Sequence, residues 1–260
     1  MEFTSIIYEK KDHIATITLN RPKFFNAIND DILTEMGLAL DDITADDDIR
    51  AVIVTGNEKA FGAGADIKEI STFSSPSIIR KFVGHFQEIF NKLENLPKPT
   101  VAAVSGLCFG GGCEITLSCD IRIAADNAQF GLPEIKLAIL PGAGGTQRLQ
   151  RLVGSGYAKQ MIFTGDPIDA AEAYRIGLVN KLVPLASLMD EAKKLAKTLA
   201  ERPGFTLRTI KGLMDAGRNM PLSEALKHEM MCFESLFATY DQKEGVTAFI
   251  EKRKPEFKHQ

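Results

Sequence analysis

Nineteen consecutive residues, Val101 to Cys119 (VAAVSGLCFGGGCEITLSC), carry one formally charged side chain, Glu114. The β-branched and alanine-rich start, Thr100 to Val104, reads as a buried strand, and the triple glycine Gly110, Gly111 and Gly112 opens a helical stretch from Cys113 to Ser118. Ile121 to Ala124 then reads as the next buried strand. A chain built around such a segment is constrained to an α/β architecture with a well-covered sheet.

The flanking sequence repeats the cycle. Ala15, Ile17 and Leu19 alternate as on a strand, Leu33, Met36, Leu40 and Ile43 recur at helical spacing, and Ala51 to Thr55 is an apolar run. Ile79, Phe82, Phe86, Ile89 and Leu93 mark another helix, which Pro97 and Pro99 stop. Strand, crossover helix and strand in this order imply right-handed crossovers. After Leu185 the pattern turns helical, over Leu188 to Glu201, Thr206 to Arg218 and Leu222 to Ala238. The expected organisation is a core over residues 1–184 that holds the active site, with a helical region over 185–260.

Composition excludes several function classes. With 45% hydrophobic and 25% charged residues in 260, the chain can bury a large core. A net charge of -3 argues against a polyelectrolyte binder of nucleic acid. No basic n-region and apolar h-region open the chain, and no apolar run reaches about 18 residues, so a cytoplasmic protein that neither leaves the cell nor spans a membrane is expected. Cys108, Cys113, Cys119 and Cys232 lack CxxC spacing and the four histidines are scattered, so no metal site is expected.

Glu114 admits two readings. Buried and ionised, it would cost several kcal/mol, so it is either turned to solvent from a short amphipathic helix or paired and tuned for function. The preceding glycines favour the second, because they expose peptide N–H groups that suit a developing oxyanion. In the second loop, GNEKAFGAGADIKEI, small residues Gly62 to Ala65 precede Asp66 and Glu69, which read as a D-x-x-E capping box. It is not a GxGxxG fingerprint, since Ile67 stands where the third glycine belongs. In the third segment, FGLPEIKLAILPGAGGTQRL, Glu134 follows Pro133 and by itself reads as a first-turn helix acid.

Together, KAFGAGADIKE (59–69), GLCFGGGCEITLSCDIRIA (106–124) and AQFGLPEIKLAILPGAGGTQRL (128–149) resemble the crotonase, or enoyl-CoA hydratase, family. LNRPKFFNAIN (19–29), FTGDPIDAAEAYRIGLVNKLVP and the terminal EGVTAFIEKRKPEF extend the similarity over essentially the whole chain. The resemblance implies a crotonase-like spiral of ββα units with a helical C-terminal trimerisation region, assembled as a trimer or dimer of trimers. It implies reversible syn hydration of a trans-2-enoyl-CoA to a 3-hydroxyacyl-CoA, in fatty acid β-oxidation or crotonyl-CoA metabolism, with no cofactor apart from the CoA of the substrate. Glu114 and Glu134 would be the catalytic acid/base pair, and the N–H groups of Ala65 and Gly111 the oxyanion hole. Ala63, Ala65, Asp66, Ile67, Lys68 and Gly111 would bind the CoA thioester.

Family members that only shift the double bond generally lack the acid at the position of Glu114, so the two glutamates favour a hydratase. They also argue against a catalytically silent subunit. Two positions depart from the family pattern. Ala138 stands where glycine is frequent, which would narrow the acyl pocket, and Phe24 and Phe25 replace smaller residues, which bears on acyl chain length. Lys252, Arg253 and Lys254 have two readings, as a contact to the CoA phosphates or as a solvated helix end. The same run is the one patch that would serve RNA binding, a thin footprint in an acidic chain.

Overall fold

A computed structural model describes residues 3–259. Along the chain run β1 (Ile6–Lys11), β2 (Ile14–Leu19), α1 (Asp30–Ala45), β3 (Ala51–Thr55), β4 (Ala60–Gly62), α2 (Ile67–Ile70) and α3 (Pro76–Glu94). Then come β5 (Thr100–Val104), β6 (Leu107–Phe109), α4 (Gly111–Leu117), β7 (Ile121–Ala125), β8 (Gln129–Gly131) and a 3-10 turn, Pro133–Leu137. The chain continues through α5 (Gly145–Thr164), β9 (Ile168–Asp169), α6 (Ala170–Arg175) and β10 (Lys181–Val183). It ends in α7 (Leu188–Ala200), α8 (Gly204–Gly217), α9 (Leu222–Leu236) and α10 (Tyr240–Ile250).

The strands sort into two sheets, of order β1-β2-β3-β5-β7-β10 and β4-β6-β8-β9. Among these strand pairs of the described residues, β1/β2 and β8/β9 are antiparallel and the others parallel. Each cycle sends one strand to the large sheet and the next to the small one, then returns through helix: β3, β4 and α3; β5, β6 and α4; β7, β8 and α5. This is the ββα spiral expected from the sequence. Because both sheets keep the same order, the ends of β4, β6 and β8 stack side by side and carry the loops that follow them into one place.

Alternate residues of the large sheet are buried on opposite faces, as a parallel sheet between helical layers requires. Val52, Val54, Ala102 and Val104 join Leu33, Met36, Phe90 and Ile115 in the main core. Ala51, Ile53, Val101 and Ala103 face the other way, onto Leu188, Ala192, Ala196 and Ala200 of α7. Those four recur every fourth residue, and the three alanines among them let the helix lie close to the sheet. The helix therefore packs on strands that precede residue 184, whereas α8 and α9 contain no buried residue and α10 buries only Asp241 and Ala248.

The start of α4 is pressed against β4. A Cβ on Gly112 would lie 2.2 Å from the Gly62 carbonyl oxygen, so only glycine lets the two backbones meet. That contact sets the distance between the two glycine-rich loops seen in the sequence.

Candidate active site

The loop after β4 is held by backbone bonds on both sides of Ala65. Ile28 donates to the Gly64 carbonyl and Asp66 donates to the Ile28 carbonyl, each at 2.8 Å. The Ala65 N–H itself has no protein acceptor among the described residues, and the same is true of the Gly111 N–H at the start of α4. A Cβ on Gly111 would stand 3.7 Å from the Ala65 nitrogen, so the two unused peptide groups are neighbours. Both residues line one cavity of about 90 Å³ together with Glu114 and Glu134. Apolar side chains, among them Ile70, Phe82, Phe86 and Leu140, complete its wall.

Glu114 is 2% exposed, which removes the solvent-facing reading. Its Oε1 accepts hydrogen bonds from the peptide N–H groups of Ala143 at 2.8 Å and Gly145 at 2.7 Å. Burial pushes this carboxyl up from 4.5 to about 7, and the charge of Glu134 pushes the same way. The two N–H donors and the Arg148 guanidinium oppose the rise. Glu134 sits in the first turn of Pro133–Leu137, half-buried, and burial raises its carboxyl too. Its Oε2 is enclosed without a hydrogen-bond partner among the described residues.

Gly110 makes room for Glu134. A Cβ there would lie 2.9 Å from Glu134 Oε1, and the residue has φ +49 and ψ -125, which L side chains rarely adopt. Two carboxyls thus face one small, largely apolar cavity in different surroundings: one is fastened by two peptide donors, the other keeps an unpartnered oxygen. Such a pair can divide proton acceptance from proton donation. The neighbouring peptide groups of Ala65 and Gly111 can stabilise negative charge developing on an oxygen placed between them.

The remaining expected ligand residues lie beside this cavity. Ala63 is half-buried and its N–H donates to the Phe25 carbonyl at 3.0 Å. Asp66 caps α2 by accepting from Lys68 N at 3.1 Å, and it pairs with Arg21 at 3.1 Å. The expected capping box does not close: the Asp66 N–H is already given to Ile28, and Glu69 Oε2 is buried without a partner among the described residues. Ile67, 50% exposed, and Lys68 point outward from α2.

Other sequence expectations fall away from the cavity. Ala138 is exposed and takes φ +57 at the end of the 3-10 turn, so its departure from glycine acts on the backbone and not on the cavity wall. Phe24 and Phe25 are about half exposed, at 47% and 50%, and do not line it either. Arg253 is bound to Glu244 and Glu251, and Lys254 pairs with Glu201 at 3.3 Å, so the terminal cations are largely engaged. Among the described residues no group of three or more His, Cys, Asp or Glu is arranged to hold a metal ion, and no helix is long and apolar enough to cross a membrane. Nothing local in the sequence marks the Ala143–Gly145 peptide donors or Arg148; the one signal is the arginine four residues after Gly144.

Comparison with known proteins gives concordant results. The enoyl-CoA hydratase/isomerase family matches residues 9–260. The chain is 48% identical to a short-chain-enoyl-CoA hydratase of Clostridium acetobutylicum, over 98% of each chain. It is 45% identical to a crotonyl-CoA hydratase of Syntrophomonas wolfei subsp. wolfei, over 99% of each. The crystal structure of an enoyl-CoA hydratase from Bacillus anthracis superposes with a TM-score of 0.95 at 39% identity, covering 99% of this chain and 100% of that one.

Proposed function

The chain belongs to the enoyl-CoA hydratase/isomerase family, and from that premise we propose how its cavity works. The protein is an enoyl-CoA hydratase, a hydro-lyase that adds water reversibly to a trans-2-enoyl-CoA. The observation that carries this reading is the meeting of Glu114, Glu134 and the unused N–H groups of Ala65 and Gly111 in one cavity.

In the hydration direction Glu114, as carboxylate, takes a proton from water while the water oxygen bonds to C3 of the enoyl group. The C2–C3 π electrons move onto the thioester, and the resulting enolate oxygen accepts hydrogen bonds from Ala65 and Gly111. Glu134 then gives its proton to C2, on the face to which water added. The proton gained by Glu114 replaces the one lost by Glu134 through solvent, which resets the pair. General acid/base groups typically contribute about 10²- to 10⁴-fold each, and loss of one oxyanion donor costs on the order of 10²- to 10³-fold. No further cofactor is required, because the thioester itself accepts the electron pair.

The loop Ala63 to Lys68 and Gly111 would hold the CoA thioester, supported by the exposure of α2 beside the cavity. A short acyl chain is favoured by the phenylalanine-lined wall and by the names of the relatives above. The pathway it would serve is fatty acid β-oxidation or crotonyl-CoA metabolism. Four cysteines without a disulfide among them suit a reducing cytoplasm. Residues 185–260 are proposed as the region of self-association, as trimer or dimer of trimers: Leu222, Met230, Phe233, Phe249 and Ile250 are each at least 60% exposed. The activity is tested by the fall in enoyl-thioester absorbance on adding crotonyl-CoA and longer homologues. Formation of the 3-hydroxyacyl-CoA of matching chain length is expected, 3-hydroxybutyryl-CoA from crotonyl-CoA, and the absence of hydration product at every chain length would overturn the reading.

A further inference from the structure

We propose that Arg148 is a positioning residue for Glu114, holding the loop that supplies its two peptide donors and keeping its carboxylate accessible. This deepens the proposed hydration chemistry and rests on Glu114 serving as the base.

The geometry is a chain of fixed contacts. Arg148 Nη1 donates to the Ala143 carbonyl at 2.9 Å, and the N–H of that same residue donates to Glu114 Oε1. The guanidinium is itself clamped from the other side: Nε and Nη2 donate to Glu94 Oε2 at 3.0 and 2.6 Å, and Nη2 to Asn91 Oδ1 at 2.6 Å. Gly144 turns between the two donors with φ +110, and a Cβ there would lie 2.1 Å from Arg148 Nη1. The arginine therefore packs directly on the bare backbone of the turn. It is 12% exposed, so its charge is poorly screened.

The planar fork explains why arginine suits the position. One guanidinium meets a backbone carbonyl, a carboxylate and an amide oxygen at once, which an ammonium cannot do in fixed directions. The charged groups around Glu114 are few. Glu134 faces it from the 3-10 turn and raises its carboxyl, and Arg148 on α5 lowers it. Behind Arg148 lie Glu94 on α3 and, across a second cavity, Arg208, Lys211, Asp215 and Arg218 of α8 and its end, with Arg151 on α5. Glu94 partly neutralises Arg148, so removing either partner should move Glu114 in opposite directions.

The experiment compares Arg148→Met, Arg148→Lys and Glu94→Gln with wild type in the full-length protein, with folding checked by circular dichroism. The Glu114 carboxyl titration is followed by carbon-13 NMR of labelled glutamate, assigned through Glu114→Gln, alongside the pH profile of crotonyl-CoA hydration. Arg148→Met is expected to move the titration and the acid limb upward by about 0.5 unit or more and to lower kcat at least tenfold. Arg148→Lys should return both pH features to near wild type while kcat stays reduced, and Glu94→Gln should move them downward. An unmoved titration in folded Arg148→Met or in Glu94→Gln, or a shift of the same sign in both, would overturn the positioning role. If Arg148→Met fails to fold, the Glu94→Gln and Arg148→Lys results decide alone. Full hydration activity in Glu114→Gln would instead sink the base assignment, whatever the NMR shifts show.

Discussion

Glu134 occupies space that exists only because residue 110 has no side chain: a Cβ on Gly110 would stand 2.9 Å from Glu134 Oε1. The same glycine holds a backbone conformation closed to other residues and places the Gly111 N–H beside that of Ala65. One position thus makes room for the Glu134 carboxyl and sets the neighbouring peptide groups of Ala65 and Gly111 side by side.

Gly110→Ala is expected to strain the turn by about 1 to 3 kcal/mol and to push Glu134 aside. Hydration should fall by about 10²-fold or more, with urea unfolding showing the smaller, separate loss of stability. A folded variant with unchanged kcat would show that the close approach has no catalytic consequence.

The pH dependence follows from burial. Glu114 is raised from 4.5 to about 7, so below that pH it holds a proton and cannot accept one from water. The kcat/KM for crotonyl-CoA should decline on the acid side near 7. Burial raises Glu134 in the same direction, so the limb belongs to the coupled pair. An acid limb at the ordinary carboxylate value would contradict the buried environment.

Stability should carry the opposite mark. Because the folded value of Glu114 lies above its unfolded one, the folded state retains the proton more tightly between 4.5 and about 7. The stability this gives is complete below 4.5 and is lost as pH rises through about 7. Glu114→Gln keeps an oxygen for the Ala143 and Gly145 donors without the buried charge. Urea denaturation should show the variant more stable than wild type at pH 8, by up to about 3 kcal/mol, and little different at pH 4. Equal stability at both pH values would mean the charge is not costly where it lies.

Asn26 ties the early turn to β4. It is fully buried, donates to the carbonyls of Ala60 and Phe61, and accepts from Arg21 N at 2.9 Å. Asn26→Leu removes all three of these hydrogen bonds, although the Ala60 carbonyl keeps the one from Asn57 N–H, and should cost about 1 to 3 kcal/mol. The Ala63 N–H donates to the Phe25 carbonyl, so KM for crotonyl-CoA should rise as well. Thermal unfolding and steady-state kinetics check both, and an unchanged melting temperature would count against the staple.

Strands β3 and β5 were legible to the residue, because unbroken apolar runs bounded by breakers have one comfortable place in such a fold. Strands β4, β6 and β8, three residues each, were not, since so short a stretch shows no period. Helix α4 begins at Gly111, two residues before the expected start at Cys113, because glycines carry no helical preference and are recruited by the contact with Gly62. The alanine stripe of α7 was present in the sequence, hidden among lysines and glutamates on the outer face. Glu114 stood out by charge alone, and its burial depended on the loop Ala143 to Gly145, about thirty residues away, which no local pattern reveals. The role of Arg148 is of the same kind.

The central claim is that Glu114 and Glu134 divide the proton transfers of hydration between them. The most direct measurement follows the loss of crotonyl-CoA absorbance with wild type, Glu114→Gln and Glu134→Gln. Each variant should remain folded and lose about 10²-fold or more in kcat. Near wild-type hydration by either folded variant would contradict the account.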